Sequence, residues 1–198
     1  MNEQYAKCIP FDNKVKGRIG GNPPQIVENS IPDGYLFYAT LVHPEKENRM
    51  LSIFIHGDFD TLLENNIYPS IAVKVIEHEY SDMSNNSEKC IKELSVNSIS
   101  NYYYSQDSDF QFIKIGGEPR FIQPKYYYFK KLEEDGYSFF LQIDEEGYRD
   151  GMNYIFMFYV WCPIFIQAQH YRRNNRWFLA MFINLSVTSG LTSPEKVG

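Results

Sequence analysis

The chain has 198 residues, with 25 acidic against 19 basic side chains and a formal net charge of −6, a size that fits one ordinary domain or two small halves sharing a core. Hydrophobic residues make up 43% and charged residues 22%, a globular balance that excludes global disorder. The acidic excess speaks against a nucleic-acid backbone as partner and suits a basic protein or simple solubility.

Aromatic residues reach 17%, including 16 Tyr and 15 Phe, a bias toward strands and large buried contact area. The start, Met1-Asn2-Glu3-Gln4-Tyr5, lacks the basic and apolar regions of a secretory signal. Cys8, Cys90 and Cys162 are widely spaced and form no C-x-x-C pair, so neither a zinc knuckle nor a redox motif is expected. A cytoplasmic protein is the expectation.

The first structured element in chain order is Arg18-Ile19-Gly20-Gly21-Asn22-Pro23. Paired glycines admit backbone angles closed to other residues, and the following proline stops a strand, so this reads as a turn. A strand over residues 35–41 follows, then a polar connection over 43–50 containing Pro44, then a strand over 52–55. Asp58 or Asp60 can cap a short helix carrying Phe59, Leu62 and Leu63. An apolar strand over 71–76 leads to a polar connector over 81–100, in which Ser87 can start a helix carrying Cys90, Ile91 and Leu94.

The pattern then recurs. Lys114-Ile115-Gly116-Gly117-Glu118-Pro119 repeats the first turn, 96 residues on. Residues 137–143 match 35–41 at a shift of 102, and 154–157 match Ser52-Ile53-Phe54-Ile55 at the same shift. The connection over 144–152 contains Gly147 and Gly151, and 177–183 form the third apolar segment. The longest apolar run, 154–166, contains Pro163 and at thirteen residues falls short of the roughly 20 that cross a bilayer as a helix. Three segments repeated in one order predict an internal duplication. The expected fold is mostly β, with α+β as the alternative: two pseudo-twofold-related antiparallel units, about 15–80 and 111–185, sharing one core in a single domain 1–198, with a loose tail over 187–198.

Ile113-Lys114-Ile115-Gly116-Gly117-Glu118-Pro119 followed by Phe121-Ile122-Gln123, with Leu141-Gln142-Ile143-Asp144 and the aromatic strand over 154–159, resembles the YwqG-like family, a bacterial family of unknown function. The resemblance spans about residues 15–185 and implies a β-rich, pseudo-twofold fold. It supplies no catalytic residues. The chain departs from the pattern at Arg120-Phe121, where an aromatic is expected sooner, and more so at Pro24-Gln25 in the first copy.

The candidate chemistry is sparse. His56, Asp58 and Asp60 could offer metal ligands, but helix capping explains the two aspartates as well, and no metal or cofactor is expected. Glu77-His78-Glu79 reads as a solvated strand end. Neither glycine pair fits a phosphate loop, no nucleophile motif is present, and Cys162 reads as a buried thiol. Arg172, Arg173 and Arg176 form either an anion clamp or a polar hairpin. Gln142 and Asp144 share a strand face, which Gln123 approaches from the turn, and either line a ligand cleft or satisfy local backbone. Tyr102, Tyr103 and Tyr104, with Tyr126, Tyr127 and Tyr128, are the strongest binding candidates, because exposed tyrosines favour protein interfaces; core pairing is the alternative. The leading expectation is a non-enzymatic protein-binding module with a protein partner, in its most specific form basic, such as a toxin-neutralising immunity protein. The alternative is a small-ligand-binding protein or enzyme using a cleft between the halves. No nucleic acid and no membrane partner is expected.

Overall fold

The computed structural model describes residues 3–59, 73–105, 111–120, 133–134, 136–150, 152, 158–163 and 185–187. Within them the chain is mostly β, with only short helical turns. Eleven strands are seen among the described residues: β1 (Gln4–Ala6), β2 (Cys8–Ile9), β3 (Gly17–Ile19), β4 (Tyr35–Val42), β5 (Arg49–His56), β6 (Val73–Glu79), β7 (Asn97–Ile99), β8 (Ile113–Ile115), β9 (Tyr137–Ile143), β10 (Phe158–Pro163) and β11 (Leu185–Val187). They form a seven-stranded sheet in the order β11-β6-β5-β4-β3-β7-β2 and a four-stranded sheet in the order β1-β8-β9-β10. All pairings are antiparallel except β11 with β6.

Sequence explains why β4 and β5 lie at the centre. The run Met50-Leu51-Ser52-Ile53-Phe54-Ile55 is buried throughout, as a strand covered on both faces must be. One face, with Leu51, Ile53 and Ile55, joins a core shared with Ile113, Ile115, Leu141 and Ile143 of the other sheet. The opposite face, with Phe37, Phe54 and Ile76, is covered by Val27 and Ile31 from the 3-10 segment Gln25–Ser30 and its end. The hairpin turn is closed by the Arg49 carbonyl, which accepts from the His43 amide at 2.8 Å.

The two glycine turns are built alike. Arg18 faces Thr40 and Ile19 faces Ala39, while Lys114 faces Gln142 and Ile115 faces Leu141. The ladder skips one residue in each long strand, Tyr38 in β4 and Phe140 in β9. The carbonyl of that skipped residue accepts from a turn glycine in both cases, from Gly20 at 2.8 Å and from Gly116 at 2.9 Å. Gly20, Gly21, Gly116 and Gly117 all have φ between 65° and 76°, the left-handed region that a glycine occupies without steric cost. The second hairpin strand lies later than the sequence match implied. Ser52 is opposite Thr40, but Tyr159 is opposite Gln142, so β10 lies five residues beyond the matched 154–157, which fall outside the described residues. The extra length includes the 3-10 turn Glu145–Gly147, capped by the Asp144 carboxylate accepting from the Glu146 amide.

Three local expectations change. Residues around Ser87 make separate turns rather than a helix, each closed by a single bond, Cys90 amide to Ser87 carbonyl and Leu94 amide to Ile91 carbonyl. The stretch read as a polar connector contains β7, buried inside the large sheet. Glu77 and His78 are buried, leaving only Glu79 exposed; Glu77 survives burial by accepting from Lys46 at 2.8 Å and Arg49 at 3.0 Å. The chain also crosses between the two sheets. Only Lys7 separates β1, in the small sheet, from β2, in the large one. Past β7 the chain crosses the other way, and Tyr103 bridges Tyr5. At the crossing the Ser100 amide donates to the Lys7 carbonyl and the Lys7 amide to Ser100 Oγ, both at 2.9 Å.

Candidate functional site

The cross-strand register lines up Ser98, Arg18, Thr40 and Ser52 in one row on β7, β3, β4 and β5. Residues directly opposite share a face, and His78, two positions beyond Ile76 on β6, joins it. A polar row therefore runs beside the apolar cluster of Phe37, Phe54 and Ile76.

Arg18 is the most unusual member, at 8% exposure. Its Nη1 donates to the Gly20 carbonyl at 2.6 Å and its Nη2 to the Asn22 carbonyl at 2.5 Å. The guanidinium lies 4.6 Å from the Phe37 ring centroid, a cation–π contact that offsets part of its desolvation. Burial lowers its pKa to about 10, which leaves it charged at neutral pH. Among the described residues no carboxylate pairs with it. Thr40, its neighbour, has a buried hydroxyl with no hydrogen-bond partner among the described residues, a state that costs free energy unless something supplies the missing bond.

Both residues line a cavity of about 180 Å³, together with Lys16, His78, Phe11 and Tyr80. Phe11 and Tyr80 are each 52% exposed, and Lys16 Nζ lies 5.8 Å from the Tyr80 ring centroid. The cavity thus has a cationic, hydroxyl-bearing floor and an aromatic margin, with the Asp82 carboxylate held aside by the Tyr80 hydroxyl at 3.3 Å.

His78 invites a catalytic interpretation. Its Nδ1 is 2.5 Å from the Glu79 carbonyl, which can only accept, so Nδ1 carries the proton and Nε2 accepts from Ser52 Oγ at 2.7 Å. A hydroxyl bonded to a neutral imidazole is the arrangement of an activated nucleophile. Ser52 is fully buried and does not line the cavity, so no substrate carbonyl reaches it. Burial holds the His78 pKa below its ordinary value, and the pair closes a polar gap in the sheet.

The tyrosine triplet divides. Tyr102 packs against the main core, its hydroxyl donating to the Val42 carbonyl, and burial pushes its pKa well up. Tyr103 is half-buried, with its hydroxyl on Gln111 and its ring 6.3 Å from that of Tyr5. Tyr104 is 68% exposed and accepts from Gln4 at 3.0 Å. Gln142 is buried and clamps residue 120: Oε1 accepts from the Arg120 amide at 2.9 Å and Nε2 donates to its carbonyl at 3.1 Å. Asp144 caps the following turn. Tyr126, Tyr127, Tyr128, Gln123, Arg172, Arg173 and Arg176 lie outside the described residues.

A larger cavity of about 420 Å³ is lined by His56, Cys90, Glu88 and Glu93. Its thiol and imidazole are engaged elsewhere. Cys90 Sγ donates to the Ser87 carbonyl at 3.0 Å, and His56 Nδ1 accepts from the Asp58 amide at 3.1 Å. Among the described residues no three His, Cys, Asp or Glu side chains gather to hold a metal, and Asp60 lies outside them.

No known protein family, curated protein or solved structure matches the chain. The Arg18 cavity was not foreseen as a site. The available signal was the contrast between the two glycine turns: where Gln142 faces Lys114, Thr40 faces Arg18 and is too short to make the same clamp.

Proposed function

We propose that this chain is a non-enzymatic protein-binding module, with a toxin-neutralising immunity protein as its most specific form. The observation that carries the reading is the margin of the small cavity, where Phe11 and Tyr80 stand half-exposed beside Lys16. Aromatic side chains of this kind supply rigid, amphipathic contact area and dominate binding hot spots. The net charge of −6 favours a basic partner as the source of long-range attraction. A cytoplasmic setting belongs to the same proposal, supported by the free thiols of Cys8 and Cys90. The matched registers and skipped residues around the two glycine turns support an internal duplication, and the resemblance to the YwqG-like family is kept as a proposal about that fold. A small-ligand cleft using Gln142 and Asp144 has less support, because Gln142 is engaged with residue 120 and Asp144 caps a turn.

The test is capture of partners from the native host followed by surface plasmon resonance. Tyr80→Ala and Phe11→Ala are expected to raise the dissociation rate, each costing roughly 1 kcal/mol or more. Charge reversal at the exposed Glu133 and Glu134 is expected to slow association instead. That effect should fade as the Debye length falls from about 10 Å at 0.1 M salt to about 3 Å at 1 M. Retention of every captured protein by the Tyr80→Ala, Phe11→Ala double variant would sink the reading.

A further inference from the structure

The cavity over Arg18 holds a buried cation and a buried hydroxyl, both short of partners. A guanidinium has five N–H donors in a fork that matches a carboxylate. Two of Arg18's donors go to the Gly20 and Asn22 carbonyls, and no carboxylate of the described residues neutralises it. Buried charges are normally paired, and the corresponding lysine of the second copy is: Lys114 Nζ lies 2.9 Å from Glu3. We propose that the Arg18 cavity is a carboxylate-binding site, in which an incoming carboxylate accepts from the Arg18 guanidinium and the Thr40 hydroxyl while the group that bears it packs on Phe11 and Tyr80.

Size and charge select the ligand class. A volume of about 180 Å³ lies below the roughly 300–1,000 Å³ of pockets that enclose whole small molecules, so the cavity admits one terminal or side-chain group rather than a cofactor. Arg18 and Lys16 in the lining are partly offset by the Asp82 carboxylate, which leaves one net positive charge and suits a monoanion better than a doubly charged phosphate. The occupant is therefore a carboxylate on a partner protein, which makes this inference rest on the binding-module reading. A basic partner is compatible with it, because steering acts over a Debye length while the carboxylate acts at contact.

The experiment is a titration of the full chain with N-acetyl-phenylalanine, its amide and inorganic phosphate, following the Arg18 Nε–H and Thr40 amide resonances by NMR. The acid is expected to shift both saturably, and the amide and phosphate to leave them in place. Thr40→Val keeps the shape, and Arg18→Met keeps the length. Each should lower affinity for the acid by about tenfold or more, with folding checked by circular dichroism. If Arg18→Met does not fold, Thr40→Val and the acid-against-amide contrast decide the matter alone. Equal binding of acid and amide, saturation by phosphate instead, or unchanged affinity in Thr40→Val overturns the proposal. The two readings separate cleanly. Partner capture that needs Tyr80 but not Arg18 keeps the module and overturns the carboxylate site; acid binding without any Tyr80-dependent partner keeps the site and overturns the module.

Discussion

The turn at Gly20 and the turn at Gly116 share a ladder pattern, a skipped residue in the same place and a glycine-to-carbonyl bond, yet the first is open and the second sealed. At the Gly116 turn Gln142 reaches residue 120 and bonds both its amide and its carbonyl, and Glu3 neutralises Lys114. At the Gly20 turn the Thr40 hydroxyl has no hydrogen-bond partner among the described residues, and Arg18 is buried against two carbonyls and the Phe37 ring. Turns with a similar backbone pattern therefore do not make identical sites. The cavity lies where one side chain is shorter by two heavy atoms and another has no counterion among the described residues.

The comparison can be broken most severely at the glycines. A Cβ on Gly20 would lie 2.8 Å from the Ser95 carbonyl oxygen and 2.9 Å from that of Leu94, whereas one on Gly117 would meet the end of the Glu3 side chain. Backbone cannot yield as a side chain can. Chemical denaturation should find Gly20→Ala costing about 3 kcal/mol or more, from left-handed strain and overpacking together, and Gly117→Ala about half of that. Next come the paired polar positions, where opposite signs are expected. Gln142→Ala should cost roughly 1–2 kcal/mol by removing two hydrogen bonds to the part-buried backbone of residue 120. Thr40→Val should be neutral or raise stability by up to about 1 kcal/mol, although it weakens carboxylate binding.

A third test uses acid. Burial holds the His78 and His43 pKa values below normal, so the unfolded chain binds protons more readily than the folded one. Stability from these residues is complete above the unfolded value of about 6.5 and declines as pH falls below it. Glu77 follows at lower pH. Burial pushes its pKa up, but the hydrogen bonds from Lys46 and Arg49 outweigh this and hold it down, so its contribution is lost as pH falls through the carboxylate range. Denaturation midpoints should therefore fall in two stages, first below about pH 6.5 and again below about pH 4.5. A midpoint that holds level down to pH 5 would contradict the buried-histidine account. The smallest effect is expected at Glu3→Gln. The Lys114 pair is partly exposed, so its removal should cost no more than about 1 kcal/mol.

Much of the fold was legible because its signals are local. Two adjacent glycines close to a proline announce a turn, and the apolar residues over 52–55 announce a strand, which the structure extends to Arg49–His56. The position of β10 was less legible, since the repeated aromatics at 154–157 match equally well by composition while register is set by hydrogen bonding across the sheet. The same limit applied to function. Tyr102 and Tyr104 look alike in sequence, but one lies against the core and the other faces solvent. His78, read as solvated, is sealed in place by Ser52, a residue 26 positions away. Arg18 and Thr40 become meaningful only when each is set beside its counterpart, because a missing partner leaves no motif.

The crossing at Lys7 and Ser100 has a consequence for how the chain is made. Strand β1 leaves the ribosome ahead of its neighbour β8, which follows about 110 residues later in the chain. At roughly 5–20 residues per second, the edge of Gln4–Ala6 waits on the order of 5–20 s for its partner. During that interval β2 has no sheet to join until β7 has also emerged. Nascent protein should therefore collapse around the β4–β5 hairpin first, with the N-terminal crossover threading last and limiting the rate at which the native state is reached.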